Sequence, residues 1–489
     1  MKVFRIALLA LLFVGLTQAP VFAAGFELPG FGSRSMGRGA AFVALANDPT
    51  AMFHNPGGLS KLVGTQLMIN HNLVWAPITF TRAKSLMAGA DAADEETALQ
   101  PVSNGEELFP LNGSLFVVSD FGLDDWTFGL GVFGPNAVGK RSFPINGGQR
   151  YMLTRTEMLE IYYSLAVAYG KKDKYGFGIT AQYVDVPLSK FSLVVDSTPG
   201  GQPSPYYNAF DLESTLDLSD RSSWTLLMGG WWRVSQALDL GVSGRVVPIN
   251  LNLKGKVQLS KVSENFPGTL TLLGGDAAMD ITMPVTARLG ARYRHITDGG
   301  QELFDLEIDY VYEAWSSIED YEVKLDGSLN LGEPTHGPVE TDPGEALQDL
   351  TLGKKWRDTH SIRVGGTYNV IPGTLGLSLG GFWESGAVPN NYSNLDFLSF
   401  DRIGMGSGVQ YSGNGFDLNL SFLYVMQEDR TVDERYGKVF QARPLAPCPE
   451  QCDGLTGVPA NAGKIESDYY QLNMGLVMHF DQWFNDKEQ

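Results

Sequence analysis

Residues 415–427 read GFDLNLSFLYVMQ, and every second residue from Phe416 to Met426 is apolar or aromatic. The residues between them include Asp417, Asn419 and Ser421. Apolar and polar faces that alternate with a period of two are typical of a β-strand. The run is about ten residues or longer, whereas strands of ordinary sheets average roughly 5–6 residues. It therefore predicts an amphipathic strand long enough to cross a bilayer as part of a barrel.

The same alternation recurs in about fourteen segments, an even number such as single-chain outer-membrane barrels have. Their connections alternate between tight turns, such as GKKDKYG and SGNG, and long polar stretches such as residues 197–221, 259–280 and 326–357. A soluble sandwich also alternates, but its strands are shorter. We therefore predict an all-β fold, a transmembrane antiparallel β-barrel over residues 63–480, with residues 481–489 as a periplasmic tail. We expect strands to begin near Gly64, Leu111, Trp126, Met158, Lys174, Ser222, Leu238, Asp280, Gln301, Thr359, Gly373, Phe400, Phe416 and Ser467.

Aromatic residues near the ends of these segments suggest the girdles that mark the two membrane interfaces. Each residue alone also fits ordinary packing, so only the set is informative. The set is Trp126, Trp224, Trp231, Trp232, Trp315, Tyr411 and Tyr469.

The N-terminus has the layout of a secretory signal peptide: two basic residues, an apolar run over residues 6–16, and small residues at Ala23 and Ala24. The run is too short for a membrane anchor. We expect residues 1–24 to be removed, with cleavage after Ala23 or Ala24. Because the leader takes two of the 36 basic side chains, 34 remain against 55 acidic ones, a net charge of −21. That balance disfavours nucleic acid as a partner.

The cysteines are Cys448 and Cys452, four residues apart in CPEQC. An exported chain meets an oxidising compartment, so a local disulfide is favoured over free thiols or a metal site. No H-E-x-x-H motif or complete P-loop occurs. We therefore expect neither an enzyme nor a bound cofactor or metal.

The segment before the first predicted strand reads AGFELPGFGSRSMGRGAAFVALANDPTAMFHNPGGLSKL over residues 24–62. It resembles the N-terminal hatch of the FadL-type outer-membrane transporters. Asn47-Asp48 and Asn55-Pro56 match the family pattern, and Gly57 stands where the family usually has Ala. The resemblance continues in KKWRDTHSIRVGGTYNV and in VPNNYSNLDFLSFDRIGMGSGVQY. It implies that residues 25–62 fold inside the barrel as a plug.

The family carries long-chain fatty acids and other hydrophobic compounds passively. The resemblance thus implies a bacterial outer-membrane transporter whose partners are hydrophobic small molecules and membrane lipids, and we expect a monomer. Three alternatives stay open: uptake of aromatic or other hydrocarbons, an adhesin or structural barrel, and a lipid-modifying barrel enzyme.

Arginines on the predicted lumenal faces are candidate partners for a carboxylate headgroup: Arg245, Arg288, Arg292 and Arg363. The alternative is that they neutralise the acidic residues Asp305, Glu307 and Asp309 of the ninth strand. Arg245 is the best candidate, because its own strand carries few acids.

The third predicted strand reads DWTFGLGVFGP, with Gly129, Gly131 and Gly134 before Pro135. Glycine and proline weaken a strand and often mark a bend. One interpretation is that the small residues make room for the hatch. The other, implied by the family, is an inward kink that opens the wall to the bilayer.

Overall fold

The fold is given by a computed structural model, which describes residues 28–84, 99–105, 108–135, 140–197, 209–266, 268–318, 320–332, 344–443 and 455–481. Fourteen strands in this part of the chain form a single antiparallel barrel. They are β1 Thr65–Trp75, β2 Leu108–Ser119, β3 Trp126–Phe133, β4 Arg155–Lys171, β5 Tyr175–Asp196, β6 Asp211–Ser235, β7 Leu238–Val247, β8 Thr286–Ile296, β9 Glu302–Glu313, β10 Thr359–Ile371, β11 Leu375–Glu384, β12 Arg402–Gly413, β13 Phe416–Gln427 and β14 Gly463–His479.

The barrel closes because each strand pairs with the next and β14 pairs with β1, from Gln66 opposite His479 to Trp75 opposite Tyr470. Closure leaves no sheet edge exposed to lipid, which a membrane-spanning sheet requires. The predicted fold class is thus confirmed. The predicted starts of β3, β7, β10 and β13 match the observed residues.

The alternation of β13 has the expected orientation. Leu418 and Leu420 point outward and are about half exposed, whereas Asn419 and Ser421 are buried in the lumen.

The outer surface also exposes four of the residues predicted for the aromatic girdles, as girdle residues are: Trp126, Trp224, Trp232 and Tyr411. The girdle prediction was wrong for Trp231, Trp315 and Tyr469, which are buried. Trp231 points inward and its Nε1 donates to Ser60 Oγ (3.0 Å), because it lies one residue out of phase with Trp232.

An extension of the sheet rises beyond the barrel on the side of the long connections. Strands Ile249–Lys261, Thr269–Met283 and Tyr321–Gly332 join the long ends of β5 and β6. Parts of residues 197–221, 259–280 and 326–357, predicted as loops, are therefore strand. Several of their polar residues, such as Glu213 and Asp217, are partly exposed while Leu212, Leu216 and Leu218 are buried. The polar composition of these segments indicated loops, although their polar and apolar residues alternate as in strands. The shorter strands are Ile78–Arg82, Val102–Ser103, Lys140–Ser142, Glu345–Ala346, Leu350–Leu352, Arg430–Val432, Phe440–Ala442 and Leu455–Pro459.

The described residues before β1 form a compact, almost wholly buried segment inside the barrel, which we call the hatch (residues 28–62). It contains helix α1 (Ser33–Gly37), helix α2 (Ala51–His54) and a 3₁₀ helix (Pro56–Lys61). Two further 3₁₀ turns, Trp315–Ser317 and Asn390–Tyr392, lie in the connections. Within the described residues, the helices are all too short or too polar to span a membrane.

Candidate functional site

The residues Asn55-Pro56-Gly57 attach the hatch to the barrel wall. Asn55 Nδ2 donates to the carbonyl oxygens of Val43 and Gly230, both at 2.9 Å. Asn55 Oδ1 accepts from the N–H of Gly57 at 3.2 Å, so it caps the 3₁₀ helix that begins at Pro56. One amide side chain thus joins two parts of the hatch to β6.

The Asn47-Asp48 turn stabilises the hatch internally. Asp48 Oδ1 accepts from Thr50 N (2.8 Å) and Thr50 Oγ1 (2.5 Å), and Asp48 Oδ2 lies 3.9 Å from Arg34 Nη1. Asn47 contributes its carbonyl oxygen to Arg34 at 3.4 Å. These residues hold the fold of the hatch.

Seven strands present glycine where the hatch backbone meets the wall. A Cβ added at Gly241 would lie 2.7 Å from Val43 O, and one added at Gly290 would lie 2.9 Å from Ala44 N. Any larger residue would push the hatch away from the wall. The set, which we call the glycine belt, is Gly176, Gly178, Gly229, Gly241, Gly290, Gly365, Gly380, Gly406 and Gly408, on β5–β8 and β10–β12.

Among the strands from β5 to β12, β9 has no glycine of the belt. It presents three buried acidic residues instead. Asp309 Oδ2 accepts from the N–H groups of Phe42 (2.7 Å) and Val43 (3.0 Å). Glu307 Oε1 accepts from Ala44 N at 2.6 Å. We call Asp305, Glu307 and Asp309 the acidic rail.

Arg38 of the hatch completes this attachment. Its Nη1 lies 2.8 Å from Asp305 Oδ1 and its Nη2 lies 3.2 Å from Glu307 Oε2. Charge-assisted bonds of this kind are roughly twice as strong as neutral ones. The alternative that these acids neutralise barrel arginines holds for Asp305, which also contacts Arg292, whereas Glu307 and Asp309 contact the hatch. The sequence contains a signal for this attachment, because residues 305, 307 and 309 alternate along one strand and therefore share its lumenal face.

The four candidate arginines have different surroundings. Arg292 contacts Asp305 (2.6 Å), Asp239 (3.2 Å) and Glu302, so it belongs to a charge network below the rail. Arg288 Nη1 donates to Phe53 O at 2.7 Å, and its guanidinium lies 4.9 Å from the centre of the Phe53 ring.

Arg363 shares one carboxylate with a neighbour. Arg363 Nη2 lies 3.3 Å from Glu384 Oε2, and Arg402 Nε donates to Glu384 Oε1 at 2.8 Å. Arg245 lies inward on β7, buried, and its backbone N–H donates to Thr286 Oγ1 at 3.1 Å.

Aromatic side chains cover the opposite wall of the lumen. The ring of Phe31 lies 5.1 Å from those of Phe53 and Phe133, and Phe133 lies 5.1 Å from Phe116 and 5.6 Å from Tyr162. These spacings are those of favourable aromatic pairs. We call this group the aromatic cluster.

The glycines of β3 border the aromatic cluster. Gly129 and Gly131 lie in regularly paired strand, and an added Cβ would lie 2.9 Å from Met52 Sδ at Gly129 and 2.8 Å from the Phe116 ring at Gly131. The strand ends at Phe133, and an added Cβ at Gly134 would lie 2.7 Å from Glu160 O.

β3 ends at Phe133, which pairs with Tyr162 of β4. The short strand Lys140–Ser142 also pairs with β4, from Lys140 opposite Glu157. Residues 136–139 lie outside the described residues. We call the wall around the Phe133–Tyr162 pair the β3 end.

Other features carry no chemistry at this site. Cys448 and Cys452 lie outside the described residues. In the described part of the chain, no group of His, Cys, Asp and Glu could hold a metal ion. The stretch GLSLG (residues 376–380) has the letters of a nucleophile motif, but it lies within β11, where Ser378 Oγ is hydrogen-bonded to Thr367 Oγ1 (2.9 Å). An apolar groove of about 950 Å³ is lined by outward residues such as Phe177, Trp232 and Leu289, so it faces lipid.

The closed barrel with its N-terminal hatch narrows the possible classes of protein. A comparison with protein-family profiles identifies the class. The profile of the family described as outer membrane protein transport protein (OMPP1/FadL/TodX) matches residues 14–446. The chain belongs to this family. Members are outer-membrane transporters of hydrophobic compounds, a non-enzymatic function. None of the curated proteins matches the chain significantly in sequence.

Solved structures of the FadL/TodX family share the fold. A Pseudomonas aeruginosa FadL homologue superposes with a TM-score of 0.69 at 17% identity, covering 94% of this chain and 100% of its own. The Ralstonia pickettii toluene transporter TbuX gives 0.60 at 14% identity, covering 92% and 99%. The Pseudomonas putida toluene transporter TodX gives 0.57 at 14% identity, covering 94% and 99%.

Proposed function

We propose that this transporter carries long-chain fatty acids passively across the outer membrane. The observation that supports this substrate is the meeting of an apolar and a cationic surface at Phe53. Its ring belongs to the aromatic cluster, and the Arg288 guanidinium lies 4.9 Å from the ring centre. A fatty acid has an alkyl chain for the first surface and a carboxylate for the second.

The two surfaces contribute differently to binding. Burial of an alkyl chain contributes about 0.8 kcal/mol per methylene group, so a long chain supplies most of the affinity. A hydrogen bond to a charged group adds roughly 1.5–3 kcal/mol. The apolar wall therefore sets affinity, and the arginines distinguish an acid from a hydrocarbon.

Within this proposal Arg245 is the headgroup anchor, and the inward-facing Arg288 and Arg363 contribute positive charge to the lumen. We assign Arg292 to the charge network of the barrel wall, because three carboxylates of β7 and β9 surround it.

We further propose that ligand is captured first in the extracellular extension. A narrow cleft there has a free volume of only about 20 Å³, so it must widen to accept an alkyl chain. Its lining is almost entirely apolar, from β5, β6 and the extension strands, and includes Phe191, Leu216, Val257, Val323 and Leu350.

The exit that we propose is the β3 end, beside the aromatic cluster. Phe133 and Tyr162 belong to the cluster and also form the ladder pair at which β3 ends. A ligand that leaves there enters the bilayer and avoids crossing an aqueous space. Gly134 is then the position at which the strand turns away, and Gly129 and Gly131 accommodate Met52 and Phe116.

The second candidate function is uptake of monoaromatic hydrocarbons. Two structural relatives are toluene transporters, and five aromatic rings in contact form an apolar surface that needs no cation. At 14% identity the likeness shows only that the fold is shared. A binding measurement is therefore needed to distinguish fatty acids from monoaromatic hydrocarbons as substrates.

The test compares palmitate, hexadecane and toluene as ligands of the purified full chain and of Arg245→Gln. We expect palmitate to bind at least about tenfold more weakly to the variant, since 1.4 kcal/mol corresponds to a factor of ten. Hexadecane binding should not change. Equal losses for palmitate and hexadecane would assign Arg245 a structural role, and toluene binding without palmitate binding would favour the second candidate.

A further inference from the structure

The hatch also touches a wall that carries neither charge nor glycine belt. On β13, β14 and β1, amides and hydroxyls face the lumen. Ser421 pairs with Asn473, which pairs with Asn72 on its other side, and Asn70 lies two residues from Asn72. Asn419 lies two residues before Ser421 on β13 and pairs with Gly475 of β14. Because neighbouring strands are about 4.8 Å apart, these side chains form one continuous surface, which we call the amide patch.

Several polar atoms of the amide patch are buried without a protein partner. Asn419 is 6% exposed, and neither of its amide atoms has a hydrogen-bond partner among the described residues. The same holds, within that part of the chain, for Ser421 Oγ and Asn473 Nδ2. Buried polar groups are nearly always satisfied, by protein or by ordered water. Three such groups on adjacent positions point to water rather than to chance.

The patch is bounded differently at its two ends. Towards the short-turn rim, Asp417 and His479 form a pair (2.9 Å) whose side chains are 23% and 21% exposed, so solvent reaches this end. Towards the other rim, Leu423, Val425, Val74 and Tyr469 form a buried apolar layer with Leu28 and Met36 of the hatch. On β14 the amides extend to Gln471, which lies opposite Leu423 and whose Oε1 accepts from Asn72 Nδ2 at 3.2 Å. On β13 itself, water that enters beside Asp417 would therefore stop below Leu423.

Ser33, the first residue of α1, lies over the amide patch. Its Oγ lies 2.6 Å from Asn473 Oδ1 and 3.0 Å from Asn70 Oδ1, and its N–H donates to Asn70 Oδ1 at 3.2 Å. These are neutral contacts, which water can replace at little cost because it forms equivalent hydrogen bonds.

We propose that the amide patch is a hydration site, which binds ordered water continuous with the periplasm and hydrates the Ser33 side of the hatch. Its ligands are water and other small uncharged hydrogen-bonding solutes, because the patch carries no charged side chain to select an ion. This site is separate from the apolar ligand path and does not depend on which hydrophobic substrate is transported.

Four inward positions of β13 provide a matched test on one strand. In a chain with Cys448→Ser and Cys452→Ser, single cysteines are placed at Asn419, Ser421, Leu423 and Val425. The folded protein is exposed to Ag⁺, a small thiol-reactive ion, and the thiols left over are counted with maleimide after denaturation. We expect Asn419→Cys and Ser421→Cys to react at least tenfold faster than Leu423→Cys and Val425→Cys. Equal rates at all four positions would overturn the proposal.

Hydrogen–deuterium exchange of the unmodified chain needs no variant and covers the case in which a substitution prevents folding. We expect the backbone amides of α1 to exchange at least tenfold faster than those of Phe42 to Leu45, which the acidic rail holds. Slower or equal exchange in α1 would contradict a hydrated flank.

Discussion

The two flanks of the hatch are attached by different chemistry. On the β8–β9 flank, carboxylates of the acidic rail accept from hatch N–H groups and bind Arg38. On the β13–β14–β1 flank, Ser33 makes neutral contacts with asparagine side chains. Charge-assisted bonds are the stronger class, and an unpaired buried charge is costly. The difference teaches that the β8–β9 flank is the more strongly attached of the two.

The largest expected effect is loss of the rail. Glu307→Ala should destabilise the folded barrel by about 3–5 kcal/mol, the usual cost of breaking a buried ion pair, because Arg38 then loses a partner and two hatch amides lose an acceptor. Thermal unfolding of the detergent-solubilised protein measures this. The control is Asp276→Asn, whose pair with Lys256 is largely exposed and should contribute about 1 kcal/mol or less. Similar losses in both variants would mean that the rail does not hold the hatch.

The second effect concerns the glycine belt beside the rail. Gly241→Val should cost about 1–3 kcal/mol through overpacking, because a Cβ there would meet the hatch backbone at Val43. Trypsin cleavage in the hatch, at Arg38 or Lys61, should become detectable. Gly299→Val is the matched control, since its nearest neighbour would be 3.8 Å away. A variant at Gly241 that remains as resistant to trypsin as the control would show that the wall tolerates a larger residue.

The third prediction extends the comparison to β3 and separates the two roles of its glycines. Gly129→Val should lower transport several-fold, because a side chain there would collide with Met52. If the glycine only makes room for the hatch, adding Met52→Ala should restore transport. Transport assayed in cells or liposomes that remains low in the double variant, with normal folding, would instead favour a requirement for strand flexibility.

The smallest effect lies at Asp401, in the connection just before β12. Burial raises the pKa of the Asp401 carboxyl to about 7, while Arg430 opposes the shift and Glu428 adds to it. The folded chain thus keeps a proton that the unfolded chain has already lost between about pH 4 and pH 7. Stability should therefore fall as the pH rises through this window, and Asp401→Asn should flatten the fall. Thermal unfolding at pH 5 and pH 8 measures the difference, and an unchanged pH profile in the variant would rule out Asp401 as its source.

Much of the fold could be predicted because the strands and turns of a barrel produce local patterns in the sequence. Period-two alternation in residues such as Phe416–Gln427 gave the strands, and the turns between them gave their order. The sequence also marked the hatch, through Asn55-Pro56 and its glycines. Composition misled in the extension above the barrel, where residues 211–221 are rich in polar side chains but belong to β6.

The sequence by itself determined the barrel, because strand periodicity and turn chemistry are local properties of the chain, and its resemblance to the FadL-type transporters implied the N-terminal hatch. Only the tertiary structure decided which wall holds the hatch. Arg38 and Glu307 are 269 residues apart, and no local pattern pairs them. Trp231 and Trp232 are adjacent, yet one supports the hatch and the other faces lipid. The physical reason is that the period of a strand determines which residues share a face, whereas closure of the barrel determines which other residues each face contacts.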